Sequence, residues 1–156
     1  RLESFQIYKI DIVMAFDNIL VVCVGNICRS PIAEALLKDR FPQKHIDSAG
    51  LGALVGNPVD PKSQQVMMPY NIDMSDHVAK QIDEHLVMKA DLIFTMSDSQ
   101  TKWIEERWPH CRGKTFKIGH WNDKDIADPY RHDLSLFETA RQDIVSGLET
   151  WTDKIS

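Results

Sequence analysis

Cysteine is scarce and odd in number, three in 156 residues, so the chain lacks the paired thiols from which a small secreted domain builds a disulfide framework. None of the three is grouped with histidine at zinc-ligand spacing, and neither a metal nor an organic cofactor is implied. Long hydrophobic runs are missing too. Nothing approaches the ~20 apolar residues that cross a bilayer, and no signal peptide is evident, so the expected compartment is the cytoplasm, without direct membrane insertion. Positive charge is outnumbered, 18 Lys and Arg against 23 Asp and Glu, for a formal net charge of -5. The basic residues form no stripe and do not interleave with Trp103, Trp108, Trp121 or Trp151. That excludes a general nucleic-acid binder and reads the four tryptophans as core or rim aromatics. What is present, 43% hydrophobic residues in a chain of this length, suffices for one domain around a single core.

The most informative stretch is Cys23-Val24-Gly25-Asn26-Ile27-Cys28-Arg29-Ser30. Ahead of it, Ile19-Leu20-Val21-Val22 is apolar on both faces, the pattern of a parallel strand covered by helices on either side. Behind it, Ser30-Pro31 reads as a helix start, with Ser30 as N-cap and Pro31 at the first helical position. Ile32, Ala33, Leu36 and Leu37 then predict a buried face, with Glu34, Lys38 and Asp39 directed away from it. A loop from strand to helix N-terminus points backbone N–H groups and the positive end of the helix dipole at one spot, a site for a dianion. Gly25 permits the tight turn, and Asn26 tolerates a left-handed backbone. The same field favours the thiolate, nucleophilic form of Cys23, while Arg29 brings a planar fork for two phosphoryl oxygens. Ser30 is placed either to hydrogen-bond Cys23 or to act as a cap alone.

Beyond this loop, strand and helix patterns alternate. His45 to Ala49 predicts a second strand, Pro61 to Met68 a helix, Ala79 to Met88 a helix or turn-rich stretch, and Leu92 to Met96 a third strand. Ser99 to Trp108 predicts a helix stopped by Pro109, and Thr115 to Ile118 a fourth strand. A long loop, Gly119 to Asp133, leads into a final helix where Phe137, Ala140, Ile144, Leu148, Trp151 and Ile155 step by three or four. The expectation is an α/β domain: a four-stranded parallel sheet, doubly wound, with helices on both faces and ligands at the carboxyl ends of the strands. Cleaving a phosphate ester also needs a proton donor. Asp123, Asp125, Asp128 and Asp133 all lie in the long loop, and spacing does not choose among them. Cys111 reads as an incidental loop or helix-end thiol, and His45, His85, His110, His120 and His132 as surface or core residues.

Residues Cys23 to Pro31 resemble the signature loop of the low-molecular-weight protein tyrosine phosphatases, and Asp128-Pro129-Tyr130 resembles that family's general-acid loop at its usual late position. Ile46-Asp47-Ser48-Ala49-Gly50 and His77-Val78-Ala79-Lys80-Gln81 also look like family segments, so the resemblance runs from about Phe16 to about Trp151. It implies a flavodoxin-like fold and cofactor-free hydrolysis of protein phosphotyrosine through a phosphocysteine intermediate. Cys23 would be the nucleophile, Arg29 the phosphate clamp and Asp128 the general acid and base. Val24, Gly25, Asn26, Ile27, Cys28 and Ser30 would complete the phosphate site, and Asn26, Ser48 and His77 look like the network that pins the loop. A reversible Cys23–Cys28 disulfide is implied as protection against oxidation.

Leu54 and Tyr130 are the expected walls of the substrate cleft. Animal members carry a Trp and a second Tyr where this chain has Leu54 and Arg131, and the chain is in this respect similar to the bacterial branch associated with tyrosine kinases of capsule and exopolysaccharide export. Ser97 stands where an Asp is common in the family, so the resemblance does not imply here the tyrosine-ordering hydrogen bond of the animal members. The implied partner is a phosphotyrosine protein, a bacterial tyrosine kinase, met by a monomer or weak oligomer. Two other readings use a similar loop. A thiol-relay arsenate reductase needs two further cysteines on a mobile segment, whereas residues 71–90 contain none and only Cys111 remains. A noncatalytic phosphate-binding or phosphocarrier module would not need Arg29 and a proton donor together. The phosphatase domain is expected over residues 14–156. Residues 1–13 read as an extension, Arg1-Leu2-Glu3-Ser4 resembling cloning-derived sequence, with the segment that holds Phe5 to Val13 expected to order by pairing or packing on a neighbouring molecule.

Overall fold

Ile19 to Cys23 are all buried along β1 (Asn18–Cys23), which a strand allows only where both its faces are covered. The computed structural model describes residues 16–156; the extension expected over residues 1–13 lies outside the described residues. Strand β1 pairs in parallel with β2 (His45–Gly50) on one side and β3 (Leu92–Thr95) on the other, and β3 pairs with β4 (Thr115–Lys117). The order β2-β1-β3-β4 is the four-stranded parallel sheet that the alternation predicts.

Alternate residues of β1 serve two cores. Ile19, Val21 and Cys23 pack with α1 (Arg29–Arg40), α2 (Pro61–Met67) and α5 (Leu134–Ile155). Leu20 and Val22 pack with α3 (Glu84–Lys89) and α4 (Asp98–Arg107) on the opposite face. Short polar side chains start the helices: Asp60 caps α2 through the Lys62 N–H, Asp83 caps α3 through Leu86, and Ser97 caps α4 through Gln100. The stretch over 79–88 is therefore a helix only from Glu84 onward, because Asp83 caps it and Gln81 is still bridged to Gly50 at the sheet edge. Among the described residues no helix is long and apolar enough to cross a membrane.

The start of α1 differs from the sequence-based expectation. The helix begins at Arg29 with Cys28 in the N-cap place and no side-chain cap, so Ser30 lies in the first turn and is not the cap. Its hydroxyl is engaged elsewhere, with Cys23 and Asn26.

Helix α5 shows the second departure. Phe137, Ala140, Ile144, Trp151 and Ile155 are buried as the spacing predicts, but Leu148 is half-buried and Gly147 takes the inward place. A Cβ on Gly147 would come within 2.5 Å of Ile118 Cγ2 and 3.1 Å of the Ile118 carbonyl oxygen. The bare Cα lets the helix settle onto the chain just after β4, where the Trp151 indole N–H donates to the same carbonyl at 2.9 Å. Helix propensity alone would favour Gly147→Ala by about 1 kcal/mol. Overpacking against Ile118 is expected to reverse the sign and cost about 1–3 kcal/mol, read as a fall in the urea midpoint. An unchanged or higher midpoint would contradict this packing account.

Candidate active site

The loop that follows β1 is held by its carbonyls. Cys23 O accepts from Leu51 N at 2.9 Å, Val24 O from Gly52 N at 3.0 Å, Gly25 O from Leu54 N at 3.0 Å and Ile27 O from Asp60 N at 2.8 Å. Asn26 O is bonded by His77 Nε2 at 2.6 Å and Cys28 O by the Ser63 hydroxyl at 3.1 Å. Every carbonyl from residue 23 to 28 is thus turned outward and occupied, while no N–H of residues 24–28 is donated to another described residue. A curl of free N–H donors at a helix N-terminus is the arrangement that receives an anion.

Asn26 supplies the bend. Its φ of +60° is the left-handed conformation anticipated for it, and its side chain is fully buried. The amide nitrogen donates to Ser30 Oγ at 2.8 Å and Ser48 Oγ at 3.0 Å, and the amide oxygen accepts from Lys80 N at 2.9 Å. Since Asn26 donates to both hydroxyls, each has its own proton left to give. Ser48 gives it to the Glu34 carboxylate, and Ser30 faces Cys23 Sγ at 3.0 Å as a donor to sulfur. His77 must carry a proton on Nε2, because the Asn26 carbonyl can only accept, and its Nδ1 stands 3.9 Å from Glu34.

Glu34 is the residue that sequence reading missed. Read as directed away from the core, it is mostly buried and anchors Ser48 and His77 while pairing with Lys38 at 2.7 Å. A polar residue on the outer arc of an amphipathic pattern carries no sign of partners that arrive from β2 and from residue 77. Gly25 is also different from expectation: its φ is not left-handed, and an added Cβ would meet only the Leu54 side chain at an ordinary 3.7 Å.

Arg29 lies across the loop's open side with its side chain 5% exposed. One terminal nitrogen donates to the Ile126 carbonyl at 2.7 Å, the other stands 3.7 Å from Asp128, and the buried Nε has no hydrogen-bond partner among the described residues. A buried donor left unpaired is costly, and an anion in the loop would satisfy it.

The four aspartates of the long loop now separate. Asp123 and Asp125 lie 3.5 and 3.0 Å from Lys117 Nζ, and Asp133 accepts from the Ser135 hydroxyl in the first turn of α5, which holds its carboxyl below the usual range. Asp128 opens onto the loop, its carboxylate turned by a bond from Tyr130 N at 3.1 Å and 48% exposed. Burial would pull the Lys117 ammonium down, but its bonds to Asp98 and Asp125 outweigh that and push it up, so it stays charged.

Cys23, Val24, Gly25, Ile27, Cys28, Arg29, Gly52, Leu54, Asp128 and Tyr130 line one cleft of about 120 Å³. The structure brings Leu54 and Tyr130 to its mouth and leaves Asn26 and Ser30 buried behind the loop. Burial, with the Asp60 carboxylate 3.8 Å away, pushes the Cys28 thiol well up, so it stays protonated. Cys111 is buried in the core on the far face of the sheet, away from the cleft. Among the described residues no cluster of His, Cys, Asp or Glu suits a metal ion.

A parallel sheet whose first strand ends in a cysteine beneath an anion-receiving loop defines a class of phosphate-handling α/β proteins. Within that class, residues 18–156 match the model of the low molecular weight phosphotyrosine protein phosphatases, and the chain belongs to that family. It is 49% identical over 142 residues to the low molecular weight protein-tyrosine-phosphatase Ptp of Acinetobacter johnsonii, covering 91% of this chain and all of that one. The Vibrio vulnificus Wzb structure in complex with benzylphosphonate superposes with a TM-score of 0.86 at 38% identity, over 90% of this chain and 99% of that one. An arginine phosphatase, YwlE from Geobacillus stearothermophilus, superposes at 0.82 with 29% identity, over 88% and 91%.

Removing the Asn26 side chain strands the Lys80 N–H and leaves both serine hydroxyls without their donor in a buried site, at about 1–3 kcal/mol for each unmet group. Asn26→Ala is therefore expected to lower unfolding free energy by at least about 2 kcal/mol, whereas Asn26→Gly, which keeps the left-handed φ but lacks the same bonds, should lose nearly as much. If Asn26→Gly were as stable as the parent, the backbone conformation and not the network would hold the loop.

Proposed function

We propose that the chain hydrolyses phosphotyrosine in proteins through a phosphocysteine intermediate on Cys23. The observation that carries this reading is the Arg29 side chain: buried, fixed by the Ile126 carbonyl, and left with an unpaired Nε beside a thiol and a row of free N–H groups. The phosphoryl oxygens take the N–H groups of residues 24–28 and the free side of Arg29. The Cys23 sulfur forms a bond to phosphorus as the phosphorus–oxygen bond to the tyrosine breaks, and Asp128 gives its proton to the departing phenolate. Asp128 then takes a proton from water, whose oxygen displaces Cys23, and the Ser30 hydroxyl stabilises the departing thiolate. Inorganic phosphate and the dephosphorylated protein are released.

The apolar walls Leu54 and Tyr130 favour an aromatic leaving group, in keeping with the benzylphosphonate bound by the Vibrio relative. The substrate is a bacterial tyrosine kinase of polysaccharide export, met in the cytoplasm. Leu54 and Arg131, the residues that set this chain apart from animal members of the family, support that choice, as does the likeness to Wzb. A thiol relay is disfavoured by Cys111, which lies in the opposite core, and a carrier would leave Asp128 without a task.

Cys23→Ser is expected to abolish hydrolysis of 4-nitrophenyl phosphate with the fold unchanged by circular dichroism. Asp128→Asn should lower kcat/KM for phenyl phosphate about 10²–10⁴-fold, the usual worth of a positioned acid, and much less for 2,4-dinitrophenyl phosphate, whose leaving group needs no proton. Phosphocysteine formed at undiminished rate by Asp128→Asn would favour the carrier. Arsenate reduction by the intact protein would favour the reductase. A phosphoarginine peptide hydrolysed faster than a phosphotyrosine peptide would overturn the aromatic substrate.

A further inference from the structure

The residue that carries the acid stands in a long irregular loop, and such a loop is only as well placed as its anchors. Besides the Lys124–Asp143 pair at 3.2 Å, two anchors lie just before Asp128. Ile126 is buried, its N–H donates to the Met96 carbonyl at 2.8 Å and its carbonyl accepts from Arg29. Immediately before it, Asp125 lies 3.0 Å from Lys117 Nζ and also accepts from Asp98 N at 3.3 Å.

Lys117 is unusual on both counts that matter. Its side chain is 7% exposed at the end of β4, while the three carboxylates around it, Asp98, Asp123 and Asp125, are 79%, 99% and 55% exposed. A buried ammonium must be met by partners, and here the partners come from two places, the first turn of α4 and the long loop. In register, Lys117 lies beside Thr95, at the same carboxyl end of the sheet as Cys23. The ammonium therefore fastens the loop to the rigid part of the molecule three residues before Asp128.

We propose that Lys117 is a positioning residue for the general acid: through Asp125 it fixes the segment that delivers Asp128 to the departing oxygen. This rests on the phosphatase reading above, with Asp128 as the acid. Lys117 touches neither the phosphoryl group nor the leaving group, so its whole effect passes through the acid. It matters for substrates that need protonation and not for those that do not.

The test measures kcat/KM, which reports steps up to departure of the leaving group, for phenyl phosphate and 2,4-dinitrophenyl phosphate with the full chain. Lys117→Met, Lys117→Arg and Asp125→Ala are compared singly and in an Asp128→Asn background. Lys117→Met and Asp125→Ala are expected to lose about tenfold on phenyl phosphate and less than twofold on the dinitrophenyl ester, a fraction of the full effect of a general acid. Lys117→Arg should recover most of the loss, and neither substitution should lower the rate further once Asp128 is gone. Asp125→Ala changes a half-exposed loop residue and keeps the test decisive if Lys117→Met does not fold. Equal losses on both substrates, or a further loss in the Asp128→Asn background, would overturn the proposal and assign Lys117 to stability or to Arg29. If Asp128→Asn itself showed no leaving-group dependence, the acid assignment would fall first, a result distinguishable from failure of Lys117 alone.

Discussion

Six consecutive peptide carbonyls, residues 23 to 28, accept hydrogen bonds from outside their own loop, and the rest of the site follows from that constraint. A peptide plane with its carbonyl turned outward has its N–H turned the other way. Fixing one set of groups therefore orients the other, with no donor having to bind directly to the anion site to hold it open. The anchors are mostly backbone N–H groups of residues 51–60, which depend little on side-chain identity, and two side chains, His77 and Ser63, fill the places the backbone does not reach. This is preorganisation in the sense relevant to catalysis: the dipoles are in place before charge develops.

Behind the loop, polarity runs in one direction. The Glu34 carboxylate accepts from Ser48, Asn26 donates to both serines, and Ser30 is left to donate to sulfur. A negative group at one end of the chain and a sulfur at the other are joined by hydroxyls and an amide whose proton positions are all determined. On the other side of the cleft the same economy holds. Arg29 uses one nitrogen for the Ile126 carbonyl, so the arginine and the loop that carries Asp128 fix one another.

Local order was legible in the sequence, and partnership across the chain was not. The apolar run before Cys23 announced a covered strand, the alternation announced the parallel sheet, and the left-handed turn at Asn26 follows from what asparagine tolerates. The helix start was misplaced because Ser30, a good cap by composition, has a stronger engagement with Cys23 and Asn26. Glu34 was read as a solvent residue because helical periodicity records distance from the core and not what a neighbouring strand supplies. The loop aspartates could not be told apart, since what separates Asp123 and Asp125 from Asp128 is Lys117, on a strand that reads as an ordinary β-segment. Ser48 and His77 entered only through family resemblance, and no pattern within the chain marks either.

The bond between Arg29 and the Ile126 carbonyl spans 97 residues of sequence. The loop's other anchors lie much nearer, between Leu51 and His77, so the two halves of the site become available at different times as the chain leaves the ribosome, at roughly 5–20 residues per second. Between the emergence of His77 and that of Ile126, the chain has the loop's near anchors but not the segment that steadies the arginine. Ile126 and Asp128 follow all four strands of the sheet, and α5, which completes the core around the loop, follows them. The two sides of the cleft thus come together only when the chain is nearly complete.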